Sequence, residues 1–312
     1  MHLIELEDSA KRQFIDARTV YIALETAHKE AAEVRGGMYW KMVSGKTYLV
    51  RTASSGAQKS LGVRSAGTEA MHARFTERKT VAEKRVADLA DELHRQQRRN
   101  KAEFVGRTPE IVVDILNRMG LSGIADHFVI VGTHALYAYE QAAGVRIVDS
   151  GALATRDIDL LWDTRKRMRL AALMKFQSSS MLGLLKKVDA SFKIRDDQHY
   201  TAINSRGFEV DIIRREAKDI DPHPLKITDH EDEFWAVQAH RAGNLLHAKK
   251  FSTPLVAANG KMARMTTVAP DVFVKFKRWM AKQPDREPEK RSRDLHQAKI
   301  VTEIATKYLN PG

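Results

Sequence analysis

The chain contains no cysteine, so neither a disulfide framework nor a thiolate zinc site is open to it. No apolar run reaches membrane-spanning length, and residues 1–8 show no basic-then-apolar targeting pattern. These absences predict a soluble cytosolic protein without a membrane partner. Internal repeats and low-complexity tracts are missing as well. Negative charge is comparatively scarce: 40 acidic side chains stand against 52 lysines and arginines, leaving a net charge of +12. Such an excess attracts polyanions, nucleic acid first among them, although part of it falls on solvated helix faces such as residues 95–101. At 312 residues the chain can bury a proper core and predicts two or three units.

What the chain does have is concentrated between residues 129 and 163. Val129-Ile130-Val131-Gly132-Thr133-His134-Ala135-Leu136-Tyr137 reads as a short apolar strand, a glycine turn and a helix ending near Gly144. Thr155-Arg156-Asp157-Ile158-Asp159-Leu160-Leu161-Trp162-Asp163 reads as a strand carrying two aspartates. Side chains alternate across a strand, so Asp157 and Asp159 share one face while Ile158 and Leu160 take the other. Two adjacent carboxylates repel unless a cation sits between them, so the pair either costs stability or binds metal. The alternative is the solvent face of an edge strand. Against it, Leu160-Leu161-Trp162 stays apolar on both faces, as a covered central strand does.

The turn supplies the other half of a site. A helix N-terminus presents backbone N–H groups and the positive end of the dipole; Gly132 lets a phosphate approach closely and Thr133 adds a hydroxyl. Asp211, in Gly207-Phe208-Glu209-Val210-Asp211-Ile212-Ile213-Arg214, is the candidate third acid, with Glu209 on the same face as the fallback. Three carboxylates can bridge two ions roughly 3.5–4 Å apart. Further on, Ala269-Pro270-Asp271 opens a helix in which Phe273, Val274, Met280 and Ala281 lie within about 60° of Lys277. A lysine aimed inward needs an anion, either the carboxylate cluster or the nucleoside triphosphate that a phosphate cradle beside a metal-binding pair is equipped to handle. The alternative is a snorkelling lysine whose stem covers apolar surface.

Gly132-Thr133, then Asp157-x-Asp159, then Asp211 on a following strand, resembles the DNA polymerase β-type nucleotidyltransferases. Within that superfamily the chain is most similar to stand-alone enzymes related to abortive-infection and toxin nucleotidyltransferases. The resemblance covers residues 108–215, with an extension over 265–305. Thr133 replaces the usual Ser or Gly, keeping the hydroxyl, and the gap to the Asp-x-Asp step is longer than in minimal members, which bears on the acceptor side.

The resemblance implies magnesium-dependent transfer of a nucleoside monophosphate from a nucleoside triphosphate to an acceptor hydroxyl. Asp157, Asp159 and Asp211 would hold two Mg²⁺ ions, and Asp211 would help deprotonate the acceptor. Gly132 and Thr133 would bind the outgoing phosphates, with His134 a candidate nucleotide contact. Lys277 would neutralise developing charge, and Asp294, in the matching Arg293-Asp294-Leu295 step, would orient Lys277 or a substrate group. The basic balance favours RNA, such as a tRNA end, as acceptor, with a protein hydroxyl second. A toxin, toxin–antitoxin or phage-defence role follows from the same similarity. The reading from another class is a nucleic-acid-binding protein whose nucleotidyltransferase core is structural.

The remaining pattern predicts an α+β fold: a small mixed-sheet palm with helices on one side, an N-terminal helical-hairpin module and a C-terminal, mostly helical region. The expected divisions are residues 1–106, 107–220 and 221–312. Residues 6–34 predict an amphipathic helix and residues 38–51 a β-hairpin interleaving Tyr39, Trp40, Lys41, Lys46, Tyr48 and Arg51. That mixture suits stacking and phosphate contact with nucleic acid, or equally packing against the flanking helices. Residues 51–64 read as a loop. A charged helix over 68–104 has a thin apolar stripe, which predicts either antiparallel packing on the first helix or a homodimer seam. Thr108-Pro109-Glu110 reads as a helix start with Thr108 as cap, and residues 164–169 begin a helix with a dense basic face.

Overall fold

The computed structural model describes residues 2–177, 179–217, 221 and 223–309. Contacts divide the chain into two compact units, one of residues 12–99 and the other of residues 1–11 with 100–312. The elements begin with β1 (Leu3–Glu5), α1 (Asp8–Glu33), β2 (Gly37–Val43), β3 (Lys46–Thr52), β4 (Gln58–Val63) and α2 (Ala66–Ala102). There follow α3 (Glu110–Leu121), β5 (Phe128–Val131), α4 (Ala135–Ala143), β6 (Val145–Ile147), α5 (Ser150–Leu153), β7 (Asp157–Trp162), α6 (Arg167–Phe176) and α7 (Met181–Lys186). The rest are β8 (Lys193–Ile194), β9 (Thr201–Ile203), β10 (Glu209–Arg215), β11 (Val237–Ala239), α8 (Ala242–His247), β12 (Lys250–Val256), β13 (Met262–Val268), α9 (Pro270–Met280) and α10 (Pro288–Ile304). The result is an α+β fold.

In the smaller unit α1 and α2 run antiparallel. Gln13 meets Gln96 in a buried hydrogen bond of 2.7 Å, while Glu30 takes Arg85 and Glu33 takes Arg78 further along. The sheet between the helices has three strands in the order β2-β3-β4, all antiparallel. The loop expected over residues 51–64 is therefore corrected. Gly56, at φ +83°, turns the chain, and residues 58–63 return as β4 along β3. Gln58, Lys59 and Ser60 are exposed and have little intrinsic strand preference, so the ladder to β3 rather than local sequence makes them a strand.

In the larger unit a mixed sheet runs β5-β7-β10-β9-β8, with β11 also on β10. The central pair β7 and β10 is parallel and in register, so Asp159 lies opposite Asp211 and Asp157 opposite Glu209. Alternation then splits the sheet residues between two cores. Ile130, Ile158, Leu160, Trp162, Val210 and Ile212 pack with α3, α6, α7, β12 and β13. Val129, Val131 and Leu161 pack with α4, α8, α9 and α10. Helices thus cover both faces, not one as the strand pattern alone predicts, and the aspartates share the face of the C-terminal helices.

Two further local expectations change. Residues 3–5, unassigned from sequence, pair antiparallel with β6, Ile4 opposite Arg146. Thr108 is no helix cap: it is buried and bridges Ala257, while α3 starts from Pro109 without a side-chain cap. The basic stretch after β7 forms a 3-10 turn, Thr164–Lys166, before α6 begins.

Candidate active site

Three carboxylates converge where β7 and β10 run side by side. Asp157, Asp159 and Asp211 each offer an oxygen, and these lie within 4.8 Å of one another. The sheet register causes this, because in-register parallel strands put same-parity residues on one face about 4.8 Å apart. Glu209, the fallback, shares that face but its carboxylate is engaged by Arg195 at 2.7 Å. Hydroxyls fix the other two rims: Thr201 donates to Asp211 at 2.5 Å and Thr155 donates to Asp157.

The cluster is electrostatically uncomfortable. Burial, then the carboxylates of Asp157 and Asp211, push Asp159 up to about 7, against a partial pull downward from Lys277 and Arg286. Burial likewise pushes Asp211 up to about 6, with the Thr201 hydrogen bond opposing. Three half-buried oxygen donors, with the pKa of Asp159 and Asp211 raised, are a donor set suited to a hard divalent cation, whose charge would relieve the repulsion. The sign of the pH dependence follows. Both groups are raised above their unfolded values, so their share of stability is present below about pH 4 and is lost as pH climbs through 6 to 7. We therefore expect the Tm of metal-free protein to fall across that window and the fall to flatten when magnesium is added. Thermal scans at several pH values, with and without the ion, check it.

The glycine turn is built against this cluster. Gly132 has φ +72°, and a Cβ there would sit 2.2 Å from Asp159 Oδ2, so the close approach is between the turn and a carboxylate. Gly132→Ala should cost about 1–3 kcal/mol through the positive φ alone. It should also displace the Asp159 carboxylate, weakening Mn²⁺ affinity measured by calorimetry; unaltered Mn²⁺ affinity would show that the turn does not set the carboxylate. Thr133 is buried and its Oγ1 accepts from Gln297 Nε2 at 3.2 Å, which ties the turn to α10. Glu140, on the helix that the turn opens, is clamped by Arg107 and by the Ile147 amide at 2.9 Å. His134 is sealed in the core beside Tyr137 and Phe208, and burial lowers its pKa to about 4. The imidazole is therefore neutral at pH 7.

Lys277 points inward, as its helical position predicts, and the snorkelling alternative fails: the side chain is 8% exposed and Nζ donates to Asp294 Oδ1 at 2.7 Å. The anion it meets is therefore Asp294, not the acidic cluster directly. Asp294 is fully buried and also takes Arg286 on Oδ2 at 2.8 Å. Among the described residues its side-chain partners are these two cations, both of which act electrostatically on Asp159.

Sequence reasoning missed Arg286, Thr155, Thr201 and Gln297. Thr155 lies inside the Asp-x-Asp stretch and was legible there; the other three become visible only when separate elements are brought together.

A family model described as nucleotidyltransferase matches residues 110–312, about two thirds of the chain. No curated protein and no solved structure matches. The matched segment begins with α3 and contains the glycine turn, all three aspartates and both C-terminal helices. This chain belongs to the nucleotidyltransferase family and is a transferase of nucleotidyl groups.

Proposed function

We propose that the chain transfers a nucleoside monophosphate from a nucleoside triphosphate to a hydroxyl of RNA, such as a tRNA end, releasing pyrophosphate. The convergence of Asp157, Asp159 and Asp211 against the Gly132 turn carries this reading. Magnesium, held by those three carboxylates, would polarise the α-phosphate and stabilise the attacking and leaving oxygens. Asp211, held by the Thr201 hydroxyl at 2.5 Å, takes the proton of the acceptor hydroxyl as general base. The turn at Gly132 and Thr133 receives the outgoing phosphates at the N-terminus of α4. Lys277, steadied by Asp294, supplies positive potential to that region as charge develops.

The net charge of +12 supports an RNA acceptor, and the similarity to abortive-infection and toxin enzymes supports a toxin or phage-defence role. Incubation with each α-labelled triphosphate, magnesium and total RNA or lysate tests the reading, with Asp157→Asn/Asp159→Asn as control. Label should pass to RNA with the native chain alone. Label on a polypeptide would move the acceptor to protein. No transfer from any triphosphate, with RNA affinity intact, would leave a binding protein on an idle core.

A further inference from the structure

The three-stranded sheet of the smaller unit sorts its aromatic residues onto two faces, a division the proposed reaction does not use. One face meets α2. Trp40 lies against His72 with ring centroids 5.7 Å apart, and the Arg51 guanidinium stands 4.4 Å from the Phe75 centroid while donating to the carbonyls of Gly37 and Arg35. The opposite face carries Tyr39, Lys41 and Val43 from β2 beside Lys46 and Tyr48 from β3. Tyr48 stands opposite Lys41, and Lys46 opposite Val43. Tyr39 is 38% exposed and Val43 48%, while Val50, paired with Tyr39, forms a buried floor.

Charge selects the occupant. From Arg35 to Thr68 the chain has six basic side chains, Arg35, Lys41, Lys46, Arg51, Lys59 and Arg64, and no carboxylate. Arg51 and Arg64 serve the helix-facing side, Arg64 lying 5.2 Å from the Trp40 ring and pairing with Glu69. Lys41 and Lys46 make no ion pair among the described residues and stand on the open face. Tyr39 and Tyr48 are diagonal across the two strands, about 7–8 Å apart at the backbone. Two tyrosines flanked by lysines, on strands that carry no carboxylate, fit splayed bases and their phosphates. They do not fit an acidic helix, which would leave the rings without a matching flat partner.

We propose that this open sheet face binds single-stranded RNA, Tyr39 and Tyr48 stacking bases and Lys41 and Lys46 pairing with phosphates. The choice of RNA rests on the acceptor reading above, but the binding does not depend on turnover. The test therefore uses the full chain carrying Asp157→Asn/Asp159→Asn, with fluorescence anisotropy of a labelled unstructured RNA over a salt series. Adding Lys41→Gln/Lys46→Gln should weaken binding about tenfold or more at low salt and reduce the slope of log affinity against log salt by about 1 to 1.5. Tyr39→Ala should cost about tenfold with the slope unchanged. Thermal melts establish that each variant is folded. Unchanged affinity and slope in the lysine variant, tighter binding to duplex than to single strand, or binding of polyglutamate in place of RNA would each overturn the proposal. A failure of nucleotidyl transfer in the native chain would not alter these readouts.

Discussion

Asp159→Asn is expected to abolish nucleotidyl transfer and, at the same time, to make the metal-free protein harder to unfold. The two effects have one cause. Asp159 sits buried beside Asp157 and Asp211 with a raised pKa, so a charge there is unfavourable until a cation arrives. Asparagine keeps the shape and removes the charge. The loss of one of the three carboxylates that would hold the metal should lower the transfer rate by at least about 10³-fold, which corresponds to several kcal/mol of transition-state stabilisation. Relief of the repulsion should raise the Tm of metal-free protein at pH 8 by at least about 2 °C, while the response of Tm to magnesium disappears. Single-turnover assays and thermal scans measure the pair. A variant that loses activity but melts lower would mean that the aspartates support the fold instead of being strained for metal.

Asp294→Ala is expected to behave in the opposite way and to damage stability first. Asp294 is completely buried and holds Lys277 on one oxygen and Arg286 on the other, so its removal strands two cations between α9 and α10. Breaking a buried pair by deleting one partner costs about 3–5 kcal/mol, because the remaining charge loses its compensation. Denaturant unfolding should show that loss in the cooperative transition. Lys277→Met leaves Asp294 with Arg286 and fills a similar volume, so it should cost less stability than Asp294→Ala. It should still slow transfer, since the positive potential near Asp159 falls. Equal stability of Asp294→Ala and the native chain would show that the triad is exposed to solvent in solution.

The candidate site was legible wherever its logic is local. Alternation along residues 157–162 puts both aspartates on one face, and the 3.6-residue period puts Lys277 on the apolar face of α9; the structure has both. The Gly132 turn could be read from strand, glycine and helix in succession, but its reason could not. The phosphate-approach argument explains a glycine there from the ligand side, whereas the 2.2 Å encounter with Asp159 explains it from the protein side, and only the packed sheet shows the second. Residues 58–63 failed as a sequence prediction for a related reason: an exposed polar strand takes its structure from the neighbour it pairs with.

By itself the sequence determined the chemistry on offer: a glycine turn before a helix, an Asp-x-Asp strand, one further acid in a strand, an inward lysine and an excess of positive charge. Those are properties of neighbouring residues and of composition, and local geometry expresses them wherever the chain goes. Tertiary structure decided which acid joins the pair, because the parallel register of β7 and β10 sets Asp211 beside Asp159 while Arg195 engages Glu209. It also decided that the lysine meets Asp294, and that Tyr39 and Tyr48 face outward while Trp40 faces a helix. Contacts between residues far apart in the chain depend on how elements dock, and no periodicity within an element encodes that.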